Sequence, residues 1–233
     1  MKHLVVIPTY NEIENIKEMV DEIFSLYPQV NILVVDDSSP DGTANLVKEL
    51  QEKFSQLHLL IQEKKSGLAK AYINGFKWGL NNNFELFTTI DADFSHPPKS
   101  IATAIELINT GYDFACGSRY MKNGGTTEKH WFRNLTSVGG NIYANFILGK
   151  ELKDWTEGFN TFTKETLSKI DLDKIKCKGY IFHAEMKYKA IKKGCKISEF
   201  PIFFKVRTKG KSKMDYKIII EALFSVIQIK LRK

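Results

Sequence analysis

Short apolar runs alternate with stretches of helical periodicity through the first half of this chain, and that alternation restricts the fold more than any other feature. The runs are Leu4–Ile7, Ile32–Val35, Leu57–Ile61, Leu86–Ile90 and Phe114–Cys116. Between the first two, Ile13, Ile16, Met19, Val20, Ile23 and Phe24 form one apolar stripe at helical spacing. Further helices are expected over 43–54, 68–80 and 99–109. Strands alternating with helices imply βαβ crossovers, so the fold expected is α/β, with a mainly parallel central sheet flanked by helices. Such open sheets bind ligands at the carboxyl ends of their strands. Tyr10-Asn11-Glu12, Asp36-Asp37 and Asp91-Ala92-Asp93 all follow strand ends, so one crevice can gather all three.

The last of these is the most informative. Residues i and i+2 of an extended segment point to the same side, so Asp91 and Asp93 can converge on one ligand. Two hard oxygen donors at the end of a strand suit a divalent metal, magnesium or manganese, carrying a bound diphosphate. Asp36 and Asp37 precede a turn of Ser, Pro, Asp and Gly in which Asp41 or Thr43 can cap the next helix. Two adjacent acids directly after Val34-Val35 are not needed for that turn. A carboxylate there can accept hydrogen bonds from a base or ribose.

Composition narrows the partners. The 233 residues carry a formal net charge of +7, which suits nucleic acid, anionic lipid or phosphorylated small molecules. Cys116, Cys177 and Cys195 are widely spaced with no C-x-x-C pair, which indicates neither zinc nor a disulfide framework, and buried thiols in a reducing compartment are expected. The apolar run Leu4–Pro8 is too short for a signal-peptide core. No stretch reaches the roughly 20 apolar residues of a membrane span. A cytoplasmic protein is expected.

The second half changes character, with helical patterns around 134–148 and 181–193, a β-like run over 199–206, and the basic stretch Arg207-Thr208-Lys209-Gly210-Lys211-Ser212-Lys213. A catalytic unit over 1–213 and a terminal amphipathic helix over 214–233 are expected. In that helix Lys217, Glu221, Ser225, Gln228 and Arg232 make a narrow polar stripe on an otherwise apolar segment. At about 1.5 Å per residue it reaches roughly 27 Å, slightly short and too interrupted to span. It either packs on the domain or lies in the plane of a membrane surface with basic ends toward anionic headgroups.

The sequence has neither Gly-x-Gly-x-x-Gly nor Gly-x-x-x-x-Gly-Lys-Ser/Thr, which disfavours a dinucleotide oxidoreductase and a P-loop ATPase. Phosphate would be held by metal and by cations, with Arg119, Arg133, Arg207 and Lys213 as candidates. The five histidines show no zinc-like spacing. His96, before Pro97-Pro98, is expected to shape the turn into the next helix.

Taken in order, Val6-Ile7-Pro8-Thr9-Tyr10-Asn11-Glu12, Val35–Thr43, Gly67-Leu68, Asp91–Pro98 and Gly117-Ser118-Arg119-Tyr120 form a familiar series. Lys178-Gly179-Tyr180 with Glu185, Glu199-Phe200-Pro201-Ile202, and Arg207 with Gly210, Ser212 and Lys213 complete it. The chain resembles a family 2 glycosyltransferase of the GT-A fold, and within that family the dolichol- and polyprenyl-phosphate mannose synthases. The resemblance implies nucleotide contacts at Pro8, Tyr10, Glu12, Val35 and Asp37, with Ile90, Asp91 and Ala92 lining the nucleotide sugar. It implies Asp93 as metal ligand, position 95 as a second ligand, and Arg119, Arg207 and Lys213 on phosphates. Arg119, Arg133 and Ser137 would serve the acceptor phosphate, and Asp91, Asp93 and Arg119 the catalysis. Two positions depart from the pattern: Ser95 stands where some members carry Gln, and Asn160 where relatives often carry Arg.

The implied reaction moves a hexosyl group, with GDP-mannose the favoured donor, to a polyprenyl or dolichyl monophosphate at the cytoplasmic face of a membrane. A phosphate monoester with a second pKa near 6 is already an anionic nucleophile at neutral pH. No general base is required, and in-line displacement with inversion at the sugar carbon is expected. Glucosyl transfer, or a non-lipid acceptor, is the same-class alternative. A nucleic-acid-binding module and a non-catalytic membrane-surface adaptor are the different-class alternatives, although dispersed cations and acids at strand ends speak against nucleic acid. An integral membrane partner is left open.

Overall fold

The computed structural model describes residues 1–128, 131–206 and 216–232. The expected alternation is present as β1 (His3–Thr9), α1 (Ile16–Leu26), β2 (Asn31–Asp36), α2 (Thr43–Lys53), β3 (Leu57–Ile61), α3 (Leu68–Asn81), β4 (Leu86–Thr89), α4 (Ile101–Asn109) and β5 (Phe114–Ser118). Then follow β6 (Gly125–Thr126), α5 (Trp131–Leu148), β7 (Asn160–Thr163), α6 (Lys164–Lys169), α7 (Ile181–Lys192), β8 (Ile197–Pro201), β9 (Phe203–Phe204) and α8 (Tyr216–Leu231). Helix α1 starts later than the apolar stripe does. Ile13 lies outside it, 40% exposed, with its amide donating to Asp41 Oδ2 at 3.1 Å.

The seven-stranded sheet has the order β3-β2-β1-β4-β7-β5-β8. Strand β7 runs antiparallel to both β4 and β5, while the other pairings in this sheet are parallel. β6 and β9 form a separate parallel pair. Both faces of β1 are buried, which is why it reads as a continuous apolar run. Leu4 and Val6 face the layer built with Tyr72 and Phe76 of α3 and, further along, Phe182 of α7. Val5 and Ile7 face Ile16, Val20 and Ile23 of α1 on the other side. Helix α3 lies close to the sheet because Gly75 and Gly79 have no side chain. A Cβ on Gly75 would come within 2.7 Å of Val6 Cγ1, and one on Gly79 would meet Phe87 and Leu4.

Helix α8 packs its Val226 and Ile229 into the core, and Tyr143 Oη of α5 donates to the Leu223 carbonyl at 3.1 Å. Its Leu223, Phe224, Ile227 and Leu231 remain exposed. The three cysteines are buried free thiols. Among the described residues no helix is long and apolar enough to cross a membrane.

Candidate active site

The loops after β1, β2 and β4 each hold a non-glycine residue in the left-handed region: Asn11 (φ 58), Ser38 (φ 60) and Phe94 (φ 61). Such strained backbone collects where a site needs a special turn. After β4 its effect is plain. The turn at Phe94 lets the Ser95 amide (3.0 Å) and hydroxyl (2.6 Å) both donate to Asp93 Oδ1. Ser95 is buried and its hydroxyl hydrogen is used, so in this geometry it orients Asp93. Asp91 accepts from the Tyr72 hydroxyl at 3.2 Å. Burial, with Asp93 and Glu157 nearby, raises the Asp91 pKa, although His96 works the other way. Burial, then the Asp91 charge, holds the Tyr72 phenol well above its ordinary value.

His96 closes the same loop, as the sequence suggested. Its Nδ1 accepts the Asp91 amide at 3.1 Å and its Nε2 lies 2.7 Å from Glu157 Oε1. Burial disfavours a second proton on the ring, and the carboxylates of Asp91 and Glu157 favour one. The amide decides the balance in this geometry: it needs the Nδ1 lone pair, so Nε2–H donates to Glu157.

Glu157 sits in the loop before β7, buried with Arg119 and Lys187 around it. Burial opposes its ionisation, yet His96, Arg119 and Lys187 together hold its carboxyl far below the usual range. Arg119 follows β5. Its Nε and Nη2 grip Asp154 at 2.8 and 2.9 Å, Nη2 also donates to Thr156 at 3.0 Å, and Nε lies 3.3 Å from Glu157 Oε2. Among the described residues no hydrogen bond engages Arg119 Nη1. Lys187 Nζ, from α7, donates to the carbonyls of Asp154 (2.7 Å) and Glu157 (3.0 Å). Asn160 is buried, its amide 3.3 Å from His183 Nδ1. Where the resemblance leads one to expect arginine in this loop, the buried cation beneath it is Lys187. Burial and then the Lys187 charge push the His183 pKa down to about 3, so this ring stays neutral.

Of the positions that the resemblance assigns to the nucleotide, Pro8, Tyr10 and Glu12 are half-buried, while Val35, Ile90 and Ala92 belong to the core. The two acids after β2 divide their roles. Asp36 is buried and accepts from Thr9 (2.8 Å) and Ser39 (2.6 Å), a fold-holding arrangement. Asp37 accepts from Gln62 Nε2 (2.6 Å), the Ser66 amide (2.6 Å) and the Gly67 amide (2.8 Å), which ties down the loop entering α3. Lys65 of that loop sits 3.7 Å from the Tyr10 ring centroid.

Ser137 of α5 pairs with the Tyr120 hydroxyl at 2.8 Å. Beside this pair is a recess of about 230 Å³ lined by Tyr120, Val138, Asn141, Ile142, Asn145 and Lys153. Arg133 lies in α5, but its side chain is outside the described residues, as are Arg207 and Lys213 entirely. The chain just before Arg207 does reach the site: the Lys205 amide donates to the Ser95 carbonyl at 3.2 Å.

Among the described residues no cluster of three His, Cys, Asp or Glu side chains could hold a metal by itself. Asp93, oriented by Ser95, and Asp91 beside it fit a hard cation whose remaining ligands come from water and a diphosphate. Burial, and then the neighbouring Asp93 and Glu157 carboxylates, raise the Asp91 pKa, an environment that a cation relieves.

Sequence reasoning did not single out Tyr72, Asp154, Glu157, His183 or Lys187 for the site. Each acts on another side chain or on backbone across a large sequence separation, which no local pattern reports.

Residues 4–175 match the family described as glycosyl transferase family 2. The polyprenol monophosphomannose synthase of Mycolicibacterium smegmatis is 40% identical over 230 residues, covering 98% of this chain and 87% of that protein. The undecaprenyl-phosphate mannosyltransferase of Micrococcus luteus is 37% identical, covering 97% and 93%. The dolichol-phosphate mannosyltransferase of Pyrococcus furiosus is 36% identical over 98% of this chain, which spans 64% of that longer protein. Among solved structures, the Mycobacterium tuberculosis glucosyl-3-phosphoglycerate synthase with Mn²⁺, uridine diphosphate and phosphoglyceric acid has a TM-score of 0.69 at 17% identity, covering 97% of this chain and 78% of that one. The Pyrobaculum calidifontis mannosyltransferase with GDP-mannose and Mn²⁺ gives 0.62 at 17% identity, covering 99% and 73%. At those identities the likeness speaks to the fold. The family match and the named relatives favour an enzyme over the nucleic-acid module and the silent adaptor. The chain belongs to glycosyl transferase family 2 and is a glycosyltransferase with the GT-A fold.

Proposed function

We propose that this enzyme transfers a mannosyl group, from GDP-mannose, to the phosphate of a polyprenyl or dolichyl monophosphate, with inversion at the sugar carbon. The names of the relatives support the acceptor and the sugar. The observation that carries the chemistry is the pairing of Asp91 and Asp93 at the end of β4, with Ser95 fixing the rotamer of Asp93. Magnesium or manganese held by Asp93 would neutralise the departing diphosphate.

The residues themselves position two anions. Asp91, held by Tyr72 and tied through its amide to His96, faces the sugar side. Arg119, braced by Asp154 and Glu157, offers its remaining edge to phosphate, with Arg207 and Lys213 expected to join it. Ser137 and Arg133 serve the acceptor, whose first apolar units would enter the recess beside Tyr120 and Ile142. Pro8, Tyr10, Glu12 and the loop pinned by Asp37 receive the nucleotide. The acceptor arrives already ionised, so no side chain has to remove a proton.

Access to a lipid acceptor requires a membrane surface. Trp131, Leu135, Val138, Ile142 and Phe146 are exposed at helical spacing along α5, and Phe224, Ile227 and Leu231 are exposed on α8, the helix packed against it. An exposed patch of this kind on a basic protein suits peripheral attachment at a membrane, here the cytoplasmic face. A panel of GDP-mannose, UDP-glucose and other nucleotide sugars, with polyprenyl phosphate and Mg²⁺ or Mn²⁺, tests the reading. Lipid-linked mannose from GDP-mannose is expected. Lipid-linked glucose alone would select the glucosyl alternative, and no lipid product at all would refute the acceptor.

A further inference from the structure

A second cavity, of about 270 Å³, lies between the turn at 176–178 and α8. It is lined by Lys176, Cys177, Lys178, Phe224, Ser225, Gln228 and Arg232. None of these lines the recess beside Tyr120 and Ser137. Among the described residues its wall carries three cations and no carboxylate. Among the described residues no acid pairs with Lys176 or Lys178, and Arg232 donates through Nη2 to Gln228 Oε1 at 2.5 Å. Gathering like charges around one concavity is unfavourable unless an anion enters it.

The cavity is built, not incidental. Glu185 of α7 is buried, and its Oε2 accepts the amides of Lys176 (3.0 Å) and Cys177 (2.8 Å), which fixes the turn. Its other oxygen faces Lys189 Nζ at 3.4 Å. Among the described residues that leaves no carboxylate in an ion pair with the three lining cations. Phe224, 65% exposed, joins the cavity to the outward apolar side of α8 formed with Leu223, Ile227 and Leu231. A cationic hollow edged by exposed apolar side chains matches the boundary between headgroup and acyl chain.

We propose that this cavity binds the phosphodiester of an anionic phospholipid headgroup, at a site separate from the acceptor phosphate. It would fix the orientation of the enzyme on the membrane, so the inference rests on the membrane-surface reading above. The headgroup phosphate sits among Lys176, Lys178 and Arg232, with Ser225 and Gln228 as hydrogen-bonding partners, while Phe224 reaches toward the acyl region.

The test is vesicle co-sedimentation of the full chain with phosphatidylcholine alone and with roughly one-third phosphatidylglycerol added. The triple variant Lys176→Gln, Lys178→Gln, Arg232→Gln is compared with Lys48→Gln, Lys99→Gln, Lys169→Gln, which removes equal charge elsewhere. Wild type should favour the anionic vesicles, and each lost cation in the cavity should weaken that preference roughly fivefold. The control triple should keep it, and both variants should keep wild-type thermal melting and binding to neutral vesicles. Equal loss in both triples, or no loss in the cavity variant, would overturn the site. Inorganic phosphate binding the vesicle-free protein as tightly as the anionic vesicles do would assign the cavity to a soluble anion and overturn the lipid assignment. Wild type binding neither vesicle would instead refute the membrane reading itself.

Discussion

His96 Nε2 lies 2.7 Å from Glu157 Oε1, joining the loop after β4 to the loop before β7. The other Glu157 oxygen lies 3.3 Å from Arg119 Nε. One buried carboxylate thus braces both the segment that carries Asp91 and the arginine proposed to meet phosphate. Removing it leaves buried donors without their acceptor. Glu157→Ala should lower stability by about 3–5 kcal/mol in urea unfolding. Glu157→Gln, which keeps an acceptor oxygen, should lose less stability yet still transfer sugar more slowly. Equal stability of wild type and Glu157→Ala would contradict the bracing role.

Asp93 and Ser95 should separate by kinetics. Asp93→Asn should cut kcat by roughly 10²–10³ with little change in melting, the scale seen when one electrostatic partner of a transition state is lost. Ser95→Ala should raise the metal concentration needed for half-maximal rate by about 10–100-fold, as for other residues that orient a ligand. Its kcat at saturating metal should stay near wild type. A Ser95→Ala enzyme that no metal concentration restores would make Ser95 a direct ligand instead.

A Cβ on Gly158 would stand 3.1 Å from His183 Nε2 and 3.2 Å from His96 Cε1. Both rings would have to give way, and His96 receives the Asp91 amide. Gly158→Ala should therefore slow turnover by roughly tenfold or more while costing about 1–3 kcal/mol of stability, the usual range for overpacking. Wild-type turnover in this variant, measured at saturating substrates, would show that the His96 position is not needed.

Acid should loosen the fold through a residue far from the chemistry. His3 is buried, its Nε2 2.8 Å from Thr88 Oγ1, and burial followed by the N-terminal charge push its pKa down to about 4. Its folded pKa lies below its unfolded value of about 6.5, so the unfolded chain binds the extra proton. The contribution to stability is full above that unfolded value, falls as the pH drops, and is gone near pH 4. Between pH 7 and pH 5 this amounts to about 2 kcal/mol, read as a lower urea midpoint. His3→Gln should show a correspondingly smaller drop over the same interval, and an identical drop in both proteins would exclude His3 as the cause.

The apolar stripe on α5 can be tested apart from catalysis. Phe146 is 84% exposed, so Phe146→Asp should leave stability within about 0.5 kcal/mol. It should weaken binding to lipid vesicles and slow transfer to a long-chain acceptor presented in them. Undiminished vesicle binding would remove α5 from the membrane-facing surface.

Much of this fold was legible because its signals are local. The runs that became β1 to β5 are apolar and bounded by turns, and the helices between them carry one buried stripe each. Strand β7 was not foreseen. Asn160-Thr161-Phe162-Thr163 is short and carries a single large apolar side chain, and it becomes a strand by pairing antiparallel with both β4 and β5. That insertion brings Glu157 under His96, so missing the strand meant missing the brace. Asp91 and Asp93 stood out because a two-residue spacing at a strand end is visible in sequence. Lys187 did not, since a lysine on a helix ordinarily faces solvent, and only the packing of α7 beneath the loop shows that it is buried.

In the proposed reaction, paired acids after β4 hold a cation against the leaving diphosphate while an already charged lipid phosphate attacks the sugar. The most direct measurement follows mannose transfer from GDP-mannose to polyprenyl phosphate with and without a chelator, and then the anomeric configuration of the product by NMR. Chelator-sensitive transfer, restored by Mg²⁺ or Mn²⁺ and giving an inverted anomer, is predicted. Transfer that persists in chelator, or a product of retained configuration, would contradict the account.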